Sequence, residues 1–153
     1  MKISSTSRRQ GFTLLEIMIV VIIIGVMLAM AIPGFKAVRE RTRVATFLND
    51  FRAVKEAINR YSLEEGHYPI GEGGGPAADF YDYIRGDVID GRTVIGGNWA
   101  VDATNYLFAI GVANYEVDDS LIQQIDSGVD DGDTSTGQMF IQGEKTFYFI
   151  IEE

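Results

Sequence analysis

The 153-residue chain has no cysteine and one histidine, His67. Without cysteine there is no disulfide, so an exported part of the chain must hold together by packing alone. With no second histidine either, a zinc site lacks its usual ligands, and there is no thiol nucleophile and no histidine beside an obvious serine. Paired acids occur, but in turns with no evident cleft, so no enzymatic role is expected. Basic residues are scarce over 61–153, where Arg85, Arg92 and Lys145 face eighteen acidic residues, a net charge of −15. Such a segment repels phosphate backbones, and direct nucleic-acid binding is not favoured. Charge of either sign is scarce over residues 12–32, where Glu16 is alone.

Residues 12–32 form a 21-residue apolar run, about 30 Å long as a helix and enough to cross a hydrocarbon core. Three readings fit it. Lys2, Arg8 and Arg9 with Ala29-Met30-Ala31 match an ordinary secretory signal cut after Ala31, which would release an acidic binding domain. The run is longer than the usual apolar core of such signals, roughly 7–15 residues, and Glu16 interrupts it. An uncut anchor is the second reading. Basic residues flank both ends, with Lys36, Arg39, Arg41 and Arg43 on the far side, so charge leaves its orientation open.

The third reading accounts for Glu16. The ordered set Arg8-Arg9-Gln10-Gly11-Phe12-Thr13-Leu14-Leu15-Glu16, followed by the apolar run, resembles the processing site of type IV pilins and of the pseudopilins of type II secretion. The resemblance spans residues 8 to 68. It implies a leader, residues 1–11, removed by a prepilin peptidase between Gly11 and Phe12, with methylation of the new amine. It further implies a transmembrane and assembly helix over 12–32, its amphipathic continuation over 33–63, and an acidic head over 64–153. An ionisable group inside a membrane points to function, because it is costly unless paired. The ammonium that cleavage creates on Phe12 is four residues from Glu16, so the two can pair within one chain. The family precedent is pairing between neighbouring chains. Pro33 and Gly34 lie where the family often bends the helix, and proline there removes a backbone donor, so a kink or local unwinding is expected.

Implied partners are further copies of the chain and other pilin-like subunits in a helical filament, the prepilin peptidase, an inner-membrane assembly platform and membrane lipid. The implied location is the bacterial inner membrane with the head in the periplasm, then a periplasmic or surface fibre. The favoured role is a type II secretion pseudopilin; the alternative is a type IV pilin for adhesion or twitching. The missing cysteines argue against surface pilins whose C-terminal loop is pinned by a disulfide.

Beyond the span, Phe47, Phe51, Val54, Ile58 and Tyr61 recur at spacings of 4, 3, 4 and 3, with Val44 and Leu48 beside them and Arg52, Lys55, Glu56 and Arg60 off the stripe. That is one helical face, read as the surface on which a sheet packs. One long helix is expected from residue 12 to about 63. The cations Lys36, Arg39, Arg41 and Arg43 read as a solvated face, as contacts to anionic headgroups, or as contacts to the acidic heads of neighbours in a head-to-tail stack.

Gly66-His67-Tyr68-Pro69 is a helix stop and resembles the tyrosine-proline turn of pseudopilins; His67 is read as a turn residue. Residues 71–98 are glycine-rich and read as a variable loop. Gly73-Gly74-Gly75 lacks the preceding strand and the closing Lys-Ser/Thr of a phosphate loop. Phe80, Tyr81, Tyr83 and Ile84 suit a short helix or turn docking on the core. Strand character follows at 99–101 and 106–112. Leu121, Ile122 and Ile125 have helical spacing after Asp118-Asp119-Ser120, a helix start. The end reads as a hairpin, 139–141 and 146–151, about a turn at Gly143-Glu144. The expected fold is α+β: the long helix on a small antiparallel sheet of about three or four strands, with Trp99 in the core.

Asp126, Asp130, Asp131 and Asp133 cluster within eight residues, beside Gly128 and Gly132. Clustered carboxylates can hold Ca²⁺, but the order and closing glutamate of an EF-hand are absent. Major pseudopilins carry a calcium site near the C-terminus, and the tryptophan-glycine and serine-glycine-aspartate patterns around it are not visible here. The favoured reading is a solvated turn with capping aspartates, as in other pilin-like proteins.

Overall fold

The structure is a computed structural model that describes residues 12–71, 75–104 and 107–152. The expected leader with Gly11, two of the three consecutive glycines (Gly73 and Gly74) and the start of the second strand at Tyr106 lie outside them. The chain divides into two compact units, Met1–Arg39 and Glu40–Glu153. Helix α1, Leu14–Glu65, begins in the first and continues into the second.

In the first unit every described side chain from residue 12 to residue 39 is exposed. Among the described residues α1 is the one helix long and apolar enough to cross a membrane. Its β-branched run lacks the polar face that a helix on a water-soluble core would show. The helix assignment passes without interruption through positions 33 and 34.

The second unit holds the core. Phe47, Phe51, Val54, Ile58 and Tyr61 are all buried, joined by Ala57; the charged residues of the same stretch point away, with Arg52, Glu56 and Arg60 exposed. Gly66, with φ of 76°, ends α1 in the left-handed conformation that glycine adopts without steric cost, and its N–H donates to Ser62 O at 3.0 Å. Against this face lies a four-stranded antiparallel sheet in the order β1-β2-β4-β3, made of Asn98–Asp102, Phe108–Ala113, Thr146–Glu152 and Met139–Ile141. Alternate residues of each strand face the helix. Trp99 and Val101, Phe108, Ile110 and Val112, Phe147 and Phe149, and Met139 all enter one core. Ring contacts join the layers: Phe47 meets Phe147 edge-on at 5.9 Å and stacks on Trp99 at 5.6 Å, while Phe51 reaches Phe149 at 4.6 Å. Buried Trp99 donates its indole N–H to Val88 O at 2.8 Å, giving the ring's polar end a partner.

From residue 75 onward the glycine-rich segment holds regular structure, where a variable loop was expected. It contains a 3-10 turn, Ala78–Asp82, and a short helix α2, Gly86–Ile89. Phe80, Ile89 and Ile95 lie in the core, whereas Tyr81 stays exposed. Tyr61 donates to Asp79 at 2.9 Å and Arg60 to Tyr83 O at 2.7 Å, tying the segment back to α1. Helix α3, Asp119–Val129, buries Leu121, Ile122 and Ile125. Asp118 occupies its N-cap position without a side-chain capping bond; its carbonyl accepts from Leu121 at 2.9 Å.

Candidate functional site

Two groups of side chains carry the functional expectations, one in each unit. In the first, Phe12 and Thr13 precede α1 and Glu16 is its third residue. Thr13 caps the helix: its Oγ1 accepts from the Glu16 N–H at 3.3 Å, and its carbonyl accepts from the same N–H at 3.1 Å. Thr13-Leu14-Leu15-Glu16 is therefore a threonine-x-x-glutamate capping sequence. The four letters were available in the sequence, yet the apolar run hid their capping role. Glu16 also places a negative charge in the first turn, where the helix dipole favours it. Phe12 is 79 % exposed.

The second group is the acidic cluster, and here the solvated-turn expectation needs correction. Asp131 and Asp133 are exposed, but Asp126 lies inside α3 and is fully buried. The cause is helical spacing: Asp126 follows Ile122 by four residues and Ile125 by one, so it falls beside the packed face of α3. Neither of its carboxylate oxygens accepts a hydrogen bond of good geometry, although the Gly132 amide points toward the carboxylate closely enough to favour its charge. Burial raises its pKa most, followed by the charges of Asp131, Asp130 and Asp133; the nearby Gly132 amide lowers it only in part. Carboxylate oxygens of Asp126, Asp130 and Asp131 lie within 4.8 Å of one another. Asp133 turns elsewhere, accepting from the N–H and hydroxyl of Ser135, which hold its carboxyl below the usual carboxylate range.

The loop after α3 orients the other two carboxylates. Asp130 Oδ2 accepts from the Gln138 N–H, Asp131 Oδ1 from the Asp133 N–H at 2.9 Å, and Asp131 Oδ2 from the Thr136 hydroxyl at 2.8 Å. Gly137 permits this approach. Its φ is 79°, and a β-carbon there would lie 1.9 Å from Asp130 Oδ2. His67, the other candidate ligand type, sits apart: it is exposed, its ring near the Tyr68 carbonyl and edge-on to Tyr61, as a turn residue should be.

Comparison with known proteins agrees with this architecture. Residues 6–32 match the family described as the prokaryotic N-terminal methylation motif. The type II secretion system core protein G of Escherichia coli is 37% identical over 65 residues, 42% of this chain and 45% of that protein. The core protein G of Pseudomonas aeruginosa is 38% identical over 64 residues, 40% of this chain and 45% of that protein. A type IV major pilin of Neisseria gonorrhoeae is 33% identical over 89 residues, 58% of this chain and 41% of that protein. The chain thus spans under half the length of these curated relatives. Among solved structures, the major type IV pilin of Clostridium difficile superposes with a TM-score of 0.58 at 13% identity, covering 74% of this chain and 97% of that one; at that identity the likeness is one of fold. The chain is pilin-like: it carries the methylation motif at its N-terminus and has the fold of a type IV pilin.

Proposed function

We propose that the chain is a structural subunit of a pilus-like fibre, a pseudopilin of a type II secretion system. One observation carries the reading: an apolar helix exposed on every side from residue 14 to residue 32, with a single carboxylate in its first turn. So large an apolar surface is not stable in water. Lipid covers it before assembly, and the like helices of neighbours cover it afterwards. A prepilin peptidase cuts between Gly11 and Phe12, and the new amine is methylated. In the membrane Glu16 costs about 3 kcal/mol without a partner. The Phe12 ammonium of a neighbouring subunit supplies that partner, which makes cleavage the switch for joining the fibre. Pro33 and Gly34 supply the place where α1 can bend as subunits pack. The precursor sits in the inner membrane with its acidic head in the periplasm, and an assembly platform draws it into the fibre.

Intact-mass analysis of the mature protein tests the processing step. A methylated Phe12 start is the expected result, and a start at Ile32 would instead indicate ordinary secretion. Fibre yield from Glu16→Ala tests the switch: the variant should be inserted and cut, yet excluded from fibres, and a wild-type yield would sink the idea. The gonococcal similarity runs over 89 residues, farther than the 65 shared with the Escherichia coli secretion protein, and this supports a second reading as a type IV pilin. Deleting the gene separates the two, since a pseudopilin loss blocks export whereas a pilin loss blocks adhesion or twitching.

A further inference from the structure

We propose that opposite ends of the second unit carry complementary docking surfaces, by which the unit of one copy seats on that of the next. The inference rests on the fibre reading and adds to it a contact that does not involve the stem. Its starting point is apolar surface that the second unit leaves uncovered. Leu63, Ile70 and Leu107 are 85 %, 49 % and 55 % exposed. Ile70 and Leu107 line one groove with His67 and Glu152, and Leu63 lies on α1 between Ser62 and Gly66, which border the same groove. Large apolar side chains gathered in this way mark a contact surface. Its rim is acidic. Glu64 and Glu65 are exposed in the last turn of α1, a turn without a basic residue and at the negative end of the helix dipole.

The opposite end of the same unit offers the complement. A second groove is lined by Arg43, Arg92, Val94 and Glu116. Arg92 is paired with Glu116, and another ion pair of the unit joins Lys145 to Asp119. Arg43 belongs to neither, although it is half-buried; its planar fork fits a carboxylate with two parallel bonds. Val94, 38 % exposed, gives this groove an apolar member. Arg43 and Leu63 are twenty residues apart on α1, about 30 Å along a helix. One copy therefore cannot close the two surfaces on each other, and each needs a second molecule. Arg43 of one copy then meets Glu64 and Glu65 of the next, and Val94 meets Leu63. The acids are already oriented: the Tyr83 hydroxyl donates to Glu64 at 2.8 Å and to Glu65 at 3.2 Å, and the Tyr68 hydroxyl donates to Glu152. Each carboxylate so held keeps lone pairs for a guanidinium, and prior orientation lowers the cost of ordering on contact. Because the two surfaces differ, the contact is heterologous and repeats without closing. A lipid surface would satisfy Arg43 alone and leave the far groove uncovered.

The test uses assembled fibres of the full chain, which has no cysteine of its own. Leu63→Cys and Val94→Cys are introduced together, and the fibres are treated with a short bis-maleimide linker before denaturing electrophoresis. The double variant should give a ladder of dimers, trimers and longer species. Leu107→Cys with Val94→Cys makes a second double variant with the same expectation. Each single variant should give monomers, and fibres mixed from Leu63→Cys and Val94→Cys chains should stop at dimers. With the paired thiols in place, Arg43→Glu should weaken the ladder at least roughly fivefold. Arg41→Glu, on the opposite side of the helix, should leave it unchanged. Fibres of the double variants that give no ladder overturn the docking surfaces and leave the fibre reading intact, whereas a wild-type chain that forms no fibres overturns both. Dimers from a single variant would show one surface meeting itself, and equal effects of Arg41→Glu and Arg43→Glu would reduce the pairing to net charge; either result also overturns the proposal.

Discussion

Residues 12–39 and residues 40–152 use much the same apolar alphabet to opposite ends. Phe12 and Phe35 are 79 % and 73 % exposed, whereas Phe47 and Phe51, farther along the same helix, are 0 % and 3 % exposed. Hydrophobicity alone therefore does not decide burial. In the first stretch apolar residues ring the helix and every described side chain is exposed. In the second they are confined to one stripe, and a sheet with its own matching row meets it. The second stretch is satisfied within the chain, while the first leaves its apolar surface exposed, the surface that the proposed function assigns to lipid and to neighbouring copies.

The sharpest way to break this contrast is Glu16→Ala. Fibre yield should fall at least roughly tenfold while the melting temperature of the head stays put; a parallel loss of head stability would show that the two regions are not independent. Phe47→Ala reverses the pattern. It empties a site shared with Trp99 and Phe147 and should cost about 3–5 kcal/mol in denaturant unfolding, with membrane insertion unaffected. Gly137→Ala strains a left-handed backbone position and pushes against Asp130; about 1–3 kcal/mol is expected by the same measurement. Trp99→Phe keeps one aromatic ring but loses the rest of the indole and its bond to Val88, a change of about 1–3 kcal/mol.

A pH titration gives the finest test. Burial first, and then the hydrogen bond to Asp79, push the Tyr61 hydroxyl from its ordinary 10.0 up to about 12. Between those values the unfolded chain releases this proton and the folded chain keeps it. Stability is thus fully present below pH 10 and declines as pH rises toward about 12. Melting temperatures over that range should fall less steeply for Tyr61→Phe than for wild type.

The parts of the fold legible in the sequence were those set by local period and punctuation. The stripe from Phe47 to Tyr61 gave the packed face of α1, Gly66 its end, and Gly143-Glu144 the final hairpin turn, with φ of 74° at Gly143. The inward positions of Ile89 and Ile95 were not legible, because single apolar residues among glycines carry no period and enter the core through the tertiary path of the chain. The acidic cluster was seen, but composition read it as uniformly solvated. Only the placement of Asp126 within α3, beside Ile125 on a packed helix, separates it from Asp131 and Asp133. In the stem the ordered motif was plain, while the Thr13 cap was masked by the stronger apolar signal around it.

The sheet ends on one side in β3, which is three residues long, and on the other in β1, which is five. Margins this short present few free amides and carbonyls to a passing strand. Crowded copies therefore have little means of merging their sheets into one continuous ribbon. In the proposed fibre, contacts between heads would then rest on side chains, with no shared sheet to weld one molecule to the next.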